Sequence, residues 1–214
     1  LQPFQIVELP EWVHTTSDQI KHYNKDAKFF LKNVVYSTRE GDVIIVTIRG
    51  DLEVHKTRLE RLLNLVGQIE AGTPEDLAAI GTKAGYVHAW GHEFIQPRQA
   101  KTEDRLCKVI YVGDNSLKTV HNFIGGQKEA STDSINVNYG RDFKHDIEGD
   151  VAFPQDGFLA PDGRSRLIEK RGIEVGNIFQ LGYHYTTLMQ KATYTDNDGK
   201  GKPFYMGCYG IGLG

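Results

Sequence analysis

The apolar residues of this chain come in short runs that predict β-strands. Residues 43–48 are rich in β-branched side chains and too few for a helix, so they predict a strand in the middle of a sheet. Residues 32–36 predict its hairpin partner, because residues 38–42 have the composition of a tight turn. Three more strands are predicted at residues 108–112, 122–126 and 135–139.

Helix signals alternate with these strands. Thr15, with an acidic residue three positions later, predicts a capped helix over residues 15–23. Apolar positions at helical spacing between residues 52 and 66 predict a second helix, capped by Asp51. Thr73, followed by proline, predicts the start of a third helix, which Gly81 ends.

The order of these elements favours an α+β fold with a mixed, mostly antiparallel sheet flanked by helices. We expect residues 1–145 to form this domain. Residues 146–170 are rich in Gly, Pro and Asp and predict a linker. Beyond it, residues 171–182 and 204–212 mix apolar residues with glycines. They predict a pair of antiparallel strands in which glycine lets another group approach the backbone.

Composition narrows the classes of function. The net charge is −3, so any contact with RNA must come from a local basic patch. No apolar run approaches the roughly 18 residues that span a membrane, and residues 1–12 lack the pattern of a signal peptide. Cys107 and Cys208 lie far apart and form no CxxC motif, which argues against a zinc site and a disulfide framework. We therefore expect a cytoplasmic protein with no membrane partner.

The loop over residues 85–95 is rich in histidine and aromatic residues. His88 and His92 flank Trp90, and a metal site with Glu93 as a third ligand is one interpretation. A spacing of four suits a helix, but the glycine and aromatic residues disfavour a helix here, so ordinary loop histidines are the simpler interpretation. Trp90 fits two roles equally well: stacking on an unpaired base or filling part of the core.

The two glycine-rich runs also carry a family resemblance. Residues 171–182 and 207–212 resemble, almost residue for residue, the segment that follows the inserted domain of bacterial-type prolyl-tRNA synthetases. Earlier segments resemble that inserted domain, at residues 32–36, 43–51, 54–63, 122–126 and 137–142. The resemblance implies that residues 1–145 are an editing-like insertion and that residues 171–214 are a fragment of a class II catalytic domain.

The resemblance also implies an activity. The parent enzyme would be a cytoplasmic homodimer that ligates proline to tRNA(Pro), using ATP and Mg²⁺; the fragment itself would need no cofactor. In many members of the family the insertion hydrolyses alanyl-tRNA(Pro). Such proofreading is needed because a pocket that fits proline excludes the smaller alanine by only about 1–3 kcal/mol.

Individual residues are assigned through the same resemblance. Lys32 matches a functional lysine that would hold a phosphate or the 3′-terminal ribose, and Asp133 stands where the family often has a catalytic histidine. The remaining editing-site assignments are Gly85, His88, Trp90, Gly91, Asp114 and Gly125. Assignments to the synthetic pocket are Glu174, Gln180, Gly182, Cys208 and Gly210. We expect Lys32 and the loop 85–91 to meet around a hollow that fits a methyl side chain and a ribose.

Two departures from the family pattern keep an alternative open. A Gly-Pro pair usual in the family is replaced by His88-Ala89, and Asp133 cannot donate a hydrogen bond as an ionised carboxylate. The insertion would then be a non-catalytic module that positions tRNA or braces the dimer. A stand-alone metal hydrolase that uses His88 and His92 is a third hypothesis.

Overall fold

A computed structural model describes residues 1–13, 15–126, 132–189 and 191–212. The chain forms two compact units, Leu1–Phe153 and Pro154–Gly214. Within the described residues of the first unit, the strands are β1 (Gln5–Glu8), β2 (Leu31–Thr38), β3 (Val43–Arg49), β4 (Ile69–Ala71), β5 (Val109–Asp114), β6 (Phe123–Gly126), β7 (Thr132–Val137) and β8 (Ile147–Gly149). Its helices are α1 (Thr16–Tyr23), α2 (Lys56–Leu63) and α3 (Pro74–Ala79), with 3₁₀ turns at Ala27–Phe29 and Asn115–Lys118.

A five-stranded mixed sheet is the centre of the first unit, in the order β4-β2-β3-β5-β8. β3 is antiparallel to β2 and parallel to β5, and β8 extends the sheet as a further parallel strand. A separate antiparallel sheet has the order β1-β7-β6. The mixed α+β class and the central position of residues 43–48 are thereby confirmed.

Five of the seven residues of the central strand β3 are apolar, because both faces of the sheet are covered. On one face Ile44 and Val46 pack with Leu59 of α2. On the other face Val43 and Ile45 pack with Ile80 and with the loop that follows α3. Alternate residues of β3 therefore serve two different layers of core.

Local capping confirms two of the three predicted helix starts. The Thr15 hydroxyl accepts the Asp18 amide at 3.2 Å, and the Thr73 hydroxyl accepts the Asp76 amide at the same distance. The prediction for Asp51 is wrong. Its carboxylate instead receives the Arg49 guanidinium, with 2.6 Å from Nε to Oδ1. Residues 52–55 are not helical, since Val54 forms an antiparallel bridge to Ala152, and α2 begins only at Lys56.

The stretch expected as a linker, residues 146–170, is divided between the two units. Its first residues form β8, and Val151 is buried in the core of the first unit. Three residues in a polar context give no strand signal of their own. β8 forms because β5 presents an open parallel edge, a tertiary effect that the local sequence does not show.

The second unit contains β9 (Gly176–Gly182), β10 (Thr193–Thr195), β11 (Gly201–Pro203) and β12 (Met206–Ile211). β9 pairs with β12 in antiparallel fashion, as predicted for the two glycine-rich runs. The antiparallel pair of β10 and β11, which lies between them in the sequence, was not predicted. Most apolar side chains of the second unit are exposed, Ile173 and Ile211 among them. Across the described part of the chain, every helix is too short or too polar to cross a bilayer.

Candidate functional site

Lys32 is part of an ion pair at the start of β2. Its position opposite Ile48 puts its side chain on the sheet face that α2 covers. The ammonium group contacts the Glu53 carboxylate and donates to the Leu52 carbonyl oxygen at 3.3 Å. The Lys32 side chain is 34% exposed and that of Glu53 is 70% exposed. A cation and a carboxylate are therefore presented together at the protein surface.

The loop over residues 85–91 covers the opposite face of the same sheet. Asn33, which follows Lys32 and points the other way, donates to the Val87 carbonyl oxygen at 2.9 Å. The His92 amide lies 2.5 Å from the hydroxyl oxygen of Tyr111, on that same face. The sheet thus separates Lys32 from the loop, and the hollow expected between them is not formed.

Trp90 contributes to the core. Its ring stacks on Phe143, with centroids 4.9 Å apart and planes 19° apart. The ring of His88 meets it edge-on at 3.8 Å. Of the two roles that the sequence left open for Trp90, the contacts match partial core, because one face of the indole is already covered.

The same loop does not present a metal site. The His92 Nε2 atom accepts the His88 amide at 2.8 Å, so this nitrogen already has a partner. In the described part of the chain, no three His, Cys, Asp or Glu side chains are grouped as ligands for a metal ion. The metal-hydrolase hypothesis has no support in this arrangement.

Asp114 and the three glycines assigned to the editing site support the local backbone structure. Asp114 is buried, and its two carboxylate oxygens accept the amides of Ser116 at 2.8 Å and Val151 at 2.9 Å. Gly85 and Gly91 have φ of +86° and +74°, which favour glycine. Gly125 faces Leu31, whose Cδ1 would lie 3.1 Å from an added Cβ.

Asp133 lies on β7 and is fully buried. Gln19 of α1 donates to its Oδ1 at 2.8 Å, and the buried Tyr23 hydroxyl interacts with the same carboxyl group. Burial raises the pKa of Asp133, although these two neighbours and His22 oppose the shift. The carboxyl group anchors α1 to the antiparallel sheet and has no surface that a large substrate can reach.

His145 is a buried histidine that the sequence did not single out. It is 6% exposed and stacks on Tyr111, with ring centroids 5.6 Å apart. The ring lies against Gly113, where an added Cβ would be 2.9 Å from its Cδ2. Neither ring nitrogen has a side-chain hydrogen-bond partner among the described residues. Burial lowers the pKa of His145 to about 4.

In the second unit, four residues assigned to the synthetic pocket share the β9–β12 ribbon. Gln180 is opposite Gly207 and donates to the Tyr205 hydroxyl, and Cys208 is opposite Phe179. Gly182 and Gly210 lie on the same two strands, and Glu174 precedes β9 as an exposed side chain. Whether this ribbon lines a proline or adenylate pocket stays a prediction.

Comparison with known proteins identifies the family. The family model for the aminoacyl-tRNA editing domain matches residues 10–140. This chain belongs to the aminoacyl-tRNA editing domain family. The matched range of this editing domain includes the Lys32–Glu53 pair and the strands β2 to β7 of the first unit.

Curated relatives of the editing domain confirm the resemblance to prolyl-tRNA synthetases. The chain is 37% identical over 212 residues to a proline–tRNA ligase of Aquifex aeolicus, covering 99% of the chain and 35% of that protein. It is 34% identical over 202 residues to the proline–tRNA ligase of Brachyspira hyodysenteriae, covering 94% of the chain and 32% of that protein. The chain thus spans about a third of the length of these relatives. A solved structure described as a candidate trans-editing enzyme for prolyl tRNA synthetase is 18% identical, with a TM-score of 0.48, covering 62% of this chain and 74% of that one.

Proposed function

We propose that this chain is an aminoacyl-tRNA deacylase whose substrate is alanyl-tRNA(Pro). The observation that carries the proposal is the editing-domain match over residues 10–140. In the reaction a water oxygen attacks the ester carbonyl carbon, and the bond between that carbon and the ribose oxygen breaks. The ribose oxygen takes up a proton, and free alanine and tRNA(Pro) leave. No cofactor is needed, since positioning and charge stabilisation suffice for an activated ester.

The Lys32–Glu53 pair is the proposed reaction site. The half-exposed Lys32 ammonium group supplies positive charge for a substrate phosphate or for the developing oxyanion. The Glu53 carboxylate, which is more exposed, is a suitable acceptor for the amino group of alanine or for the attacking water. The loop 85–91 is left out of this site because it covers the other face of the sheet.

The test is deacylation of Ala-tRNA(Pro) by the 214-residue chain. Lys32→Ala is expected to lower the rate roughly 100-fold, the usual effect of removing one group that stabilises the oxyanion. Lys118→Ala is the matched control, because Lys118 also pairs with a glutamate, Glu148, in the same unit. A wild-type rate equal to that of buffer, or equal rates for wild type and Lys32→Ala, would reject the proposal.

A second candidate is a module that binds the acceptor end of tRNA without hydrolysis. It is favoured by the burial of Asp133, which stands where the family often has a catalytic histidine. An inaccessible carboxyl group cannot replace a histidine that touches substrate. The deacylation assay and a binding measurement with unacylated tRNA(Pro) together separate the two candidates: tight binding with no deacylation supports the module.

For the longer protein of which the relatives are examples, we propose ligation of proline to tRNA(Pro) with ATP and Mg²⁺ by a cytoplasmic homodimer. Residues 171–214 would then be part of its class II catalytic domain, with Gln180 and Cys208 in the synthetic pocket. In the full-length protein, Gln180→Ala should lower aminoacylation and leave Ala-tRNA(Pro) hydrolysis unchanged, whereas Lys32→Ala should do the reverse. Loss of both activities in either variant would contradict this division.

A further inference from the structure

A row of aromatic rings leads from the surface towards the start of β2. Trp12 is 52% exposed, and its ring meets His22 edge-on, with centroids 5.9 Å apart. His22 is followed by Tyr23 at 4.7 Å and Tyr23 by Phe30 at 6.2 Å. Phe30 is two positions before Lys32 in the sequence, so the row ends beside the proposed reaction site.

Three lysines belong to the segment that carries this row, and two of them contact the ring of Phe29, the residue before Phe30. The ammonium groups of Lys25 and Lys28 are 5.7 and 5.2 Å from the centre of the Phe29 ring. Lys21 lies in the last turn of α1, just before them. In the described part of the chain, Asp26 is the one carboxylate that pairs with any of the three, at 3.5 Å from Lys28. We call Trp12, Lys21, His22, Lys25, Lys28 and Phe29 the lysine–aromatic strip.

We propose that the lysine–aromatic strip binds the unpaired 3′ end of the tRNA, with phosphates on the lysines and a base stacked on Trp12. The proposal rests on the proposed function, which makes a tRNA the ligand. A net charge of −3 provides no general attraction for RNA, so a local set of cations must supply it. Cations beside exposed rings are the combination that single-stranded nucleic acid requires, because every base has a face that stacks.

The position of the strip gives the binding a purpose. The 3₁₀ turn Ala27–Phe29 carries Lys28 and Phe29, and Lys32 follows on β2 after two residues. A strand held on the strip is therefore close to the Lys32–Glu53 pair, where its terminal ester would be cleaved. The strip acts in positioning and makes no contact with the reacting atoms.

The test measures, by fluorescence anisotropy, how tightly the full chain binds an unacylated single-stranded RNA of ten nucleotides that carries a fluorescent label at its 5′ end. The triple variant Lys21→Ala/Lys25→Ala/Lys28→Ala is expected to bind at least tenfold more weakly. Its plot of log K against log salt should be shallower by about 2, since each phosphate contact on a single strand contributes about 0.7. Trp12→Ala should lose roughly tenfold in affinity, and Trp12→Phe should keep most of it, because phenylalanine retains a stacking face.

Two controls make the outcome decisive. Lys83→Ala/Lys101→Ala/Lys144→Ala removes the same charge from exposed positions elsewhere in the first unit. Equal weakening by this variant would show that bulk charge, and not the strip, binds RNA. A duplex of the same sequence should bind more weakly than the single strand. Equal duplex binding together with an inert Trp12→Ala would overturn base stacking.

The binding assay is independent of hydrolysis, so the two proposals fail separately. If Lys32→Ala abolishes deacylation while the strip variants bind RNA like wild type, the proposed function stands and the strip proposal falls. If the strip variants lose RNA while no form of the chain deacylates Ala-tRNA(Pro), the strip proposal stands and the hydrolase proposal falls.

Discussion

At the scale of single residues, Asp114 and Asp133 are both buried but are held in opposite ways. Each carboxylate oxygen of Asp114 accepts a hydrogen bond from a backbone amide, and both bonds require an oxygen that accepts. Asp133 accepts a hydrogen bond from the side-chain amide of Gln19 and interacts with the Tyr23 hydroxyl, and burial raises its pKa. The charge of Asp133 is therefore a cost to the folded state.

Asp133→Asn is expected to make the folded protein at least as stable as wild type at pH 7.5. The pKa of Asp133 is higher in the folded state than in the unfolded state, so the free energy of unfolding falls as pH rises from about 4 through the folded pKa. Asparagine removes that penalty and keeps an oxygen for Gln19. Thermal unfolding from pH 3.5 to 8 should show the advantage of the variant disappearing below pH 4; a variant less stable than wild type at pH 7.5 would contradict this.

Asp114→Asn is the matched opposite case. An asparagine side chain has only one oxygen that can accept a hydrogen bond. The backbone amide of either Ser116 or Val151 therefore loses its acceptor and faces the side-chain NH₂ group instead. A buried group left without its hydrogen bond costs about 1–3 kcal/mol. Urea unfolding at pH 7.5 should show a loss of that size, and an unchanged midpoint would show that the two bonds do not contribute to stability.

His145 should make stability depend on pH in the acidic range. Its pKa is lowered to about 4 by burial, while the unfolded chain titrates near 6.5, so between these values the unfolded state binds the extra proton. The free energy of unfolding should fall by up to about 3 kcal/mol as pH drops from 6.5 to 4. His145→Phe keeps an aromatic ring beside Tyr111 and should remove this part of the slope. The measure is the difference between the two unfolding curves, in which all other groups cancel; parallel curves would refute it.

At the scale of elements, the packing at Gly50 holds the 3₁₀ turn that carries Lys28 and Phe29 of the lysine–aromatic strip. Gly50 follows β3 and its amide donates to the Phe30 carbonyl oxygen at 2.8 Å. An added Cβ would lie 2.6 Å from the Ala27 carbonyl oxygen, which is backbone of the 3₁₀ turn. The close approach of these two backbones is possible only without a side chain.

Gly50→Ala should therefore destabilise the first unit by about 1–3 kcal/mol, because the 3₁₀ turn must move away. Gly126→Ala is the control, since an added Cβ there meets no atom of the described residues within 4 Å. Urea unfolding of both variants measures the effect. Equal midpoints for the two would show that the turn yields without cost.

Sequence patterning predicted the elements that rest on local signals and missed those that depend on distant contacts. The caps at Thr15 and Thr73 follow from side chains three residues apart, and β3 follows from its own composition. The strand β8 needs the edge of β5, and the true role of Asp51 needs a turn that ends before α2. The candidate site shows the same limit. Lys32 could be singled out by family resemblance, but its partner Glu53 is 21 positions away and gave no signal.

At the scale of the whole molecule, the stability resides in the first unit. All buried hydrophobic side chains among the described residues precede residue 153. The second unit consists of two-stranded pairs with mostly exposed side chains, and such pairs are only marginally stable in water. The cooperative unfolding of the chain should therefore be that of Leu1–Phe153.

Limited proteolysis is expected to cut first within residues 154–212 and to leave a fragment close to Leu1–Phe153. Mass spectrometry identifies the cuts, and the purified fragment should unfold at the same temperature as the full chain. Early cuts inside β2, β3 or β5, or a fragment that does not fold, would contradict this distribution of stability.

The outermost strands of the five-stranded sheet, β4 and β8, have three residues each, whereas the inner strands have six to eight. Edge strands as short as these offer few free backbone hydrogen-bonding groups to another chain. Short edge strands are one of the ways in which natural sheets avoid edge-to-edge aggregation. The apolar-rich strand β3 (Val43–Arg49) is the third of the five strands, so one strand lies between it and each edge strand. The architecture thus lets a strongly apolar sequence stay at the centre without acting as a template for fibres.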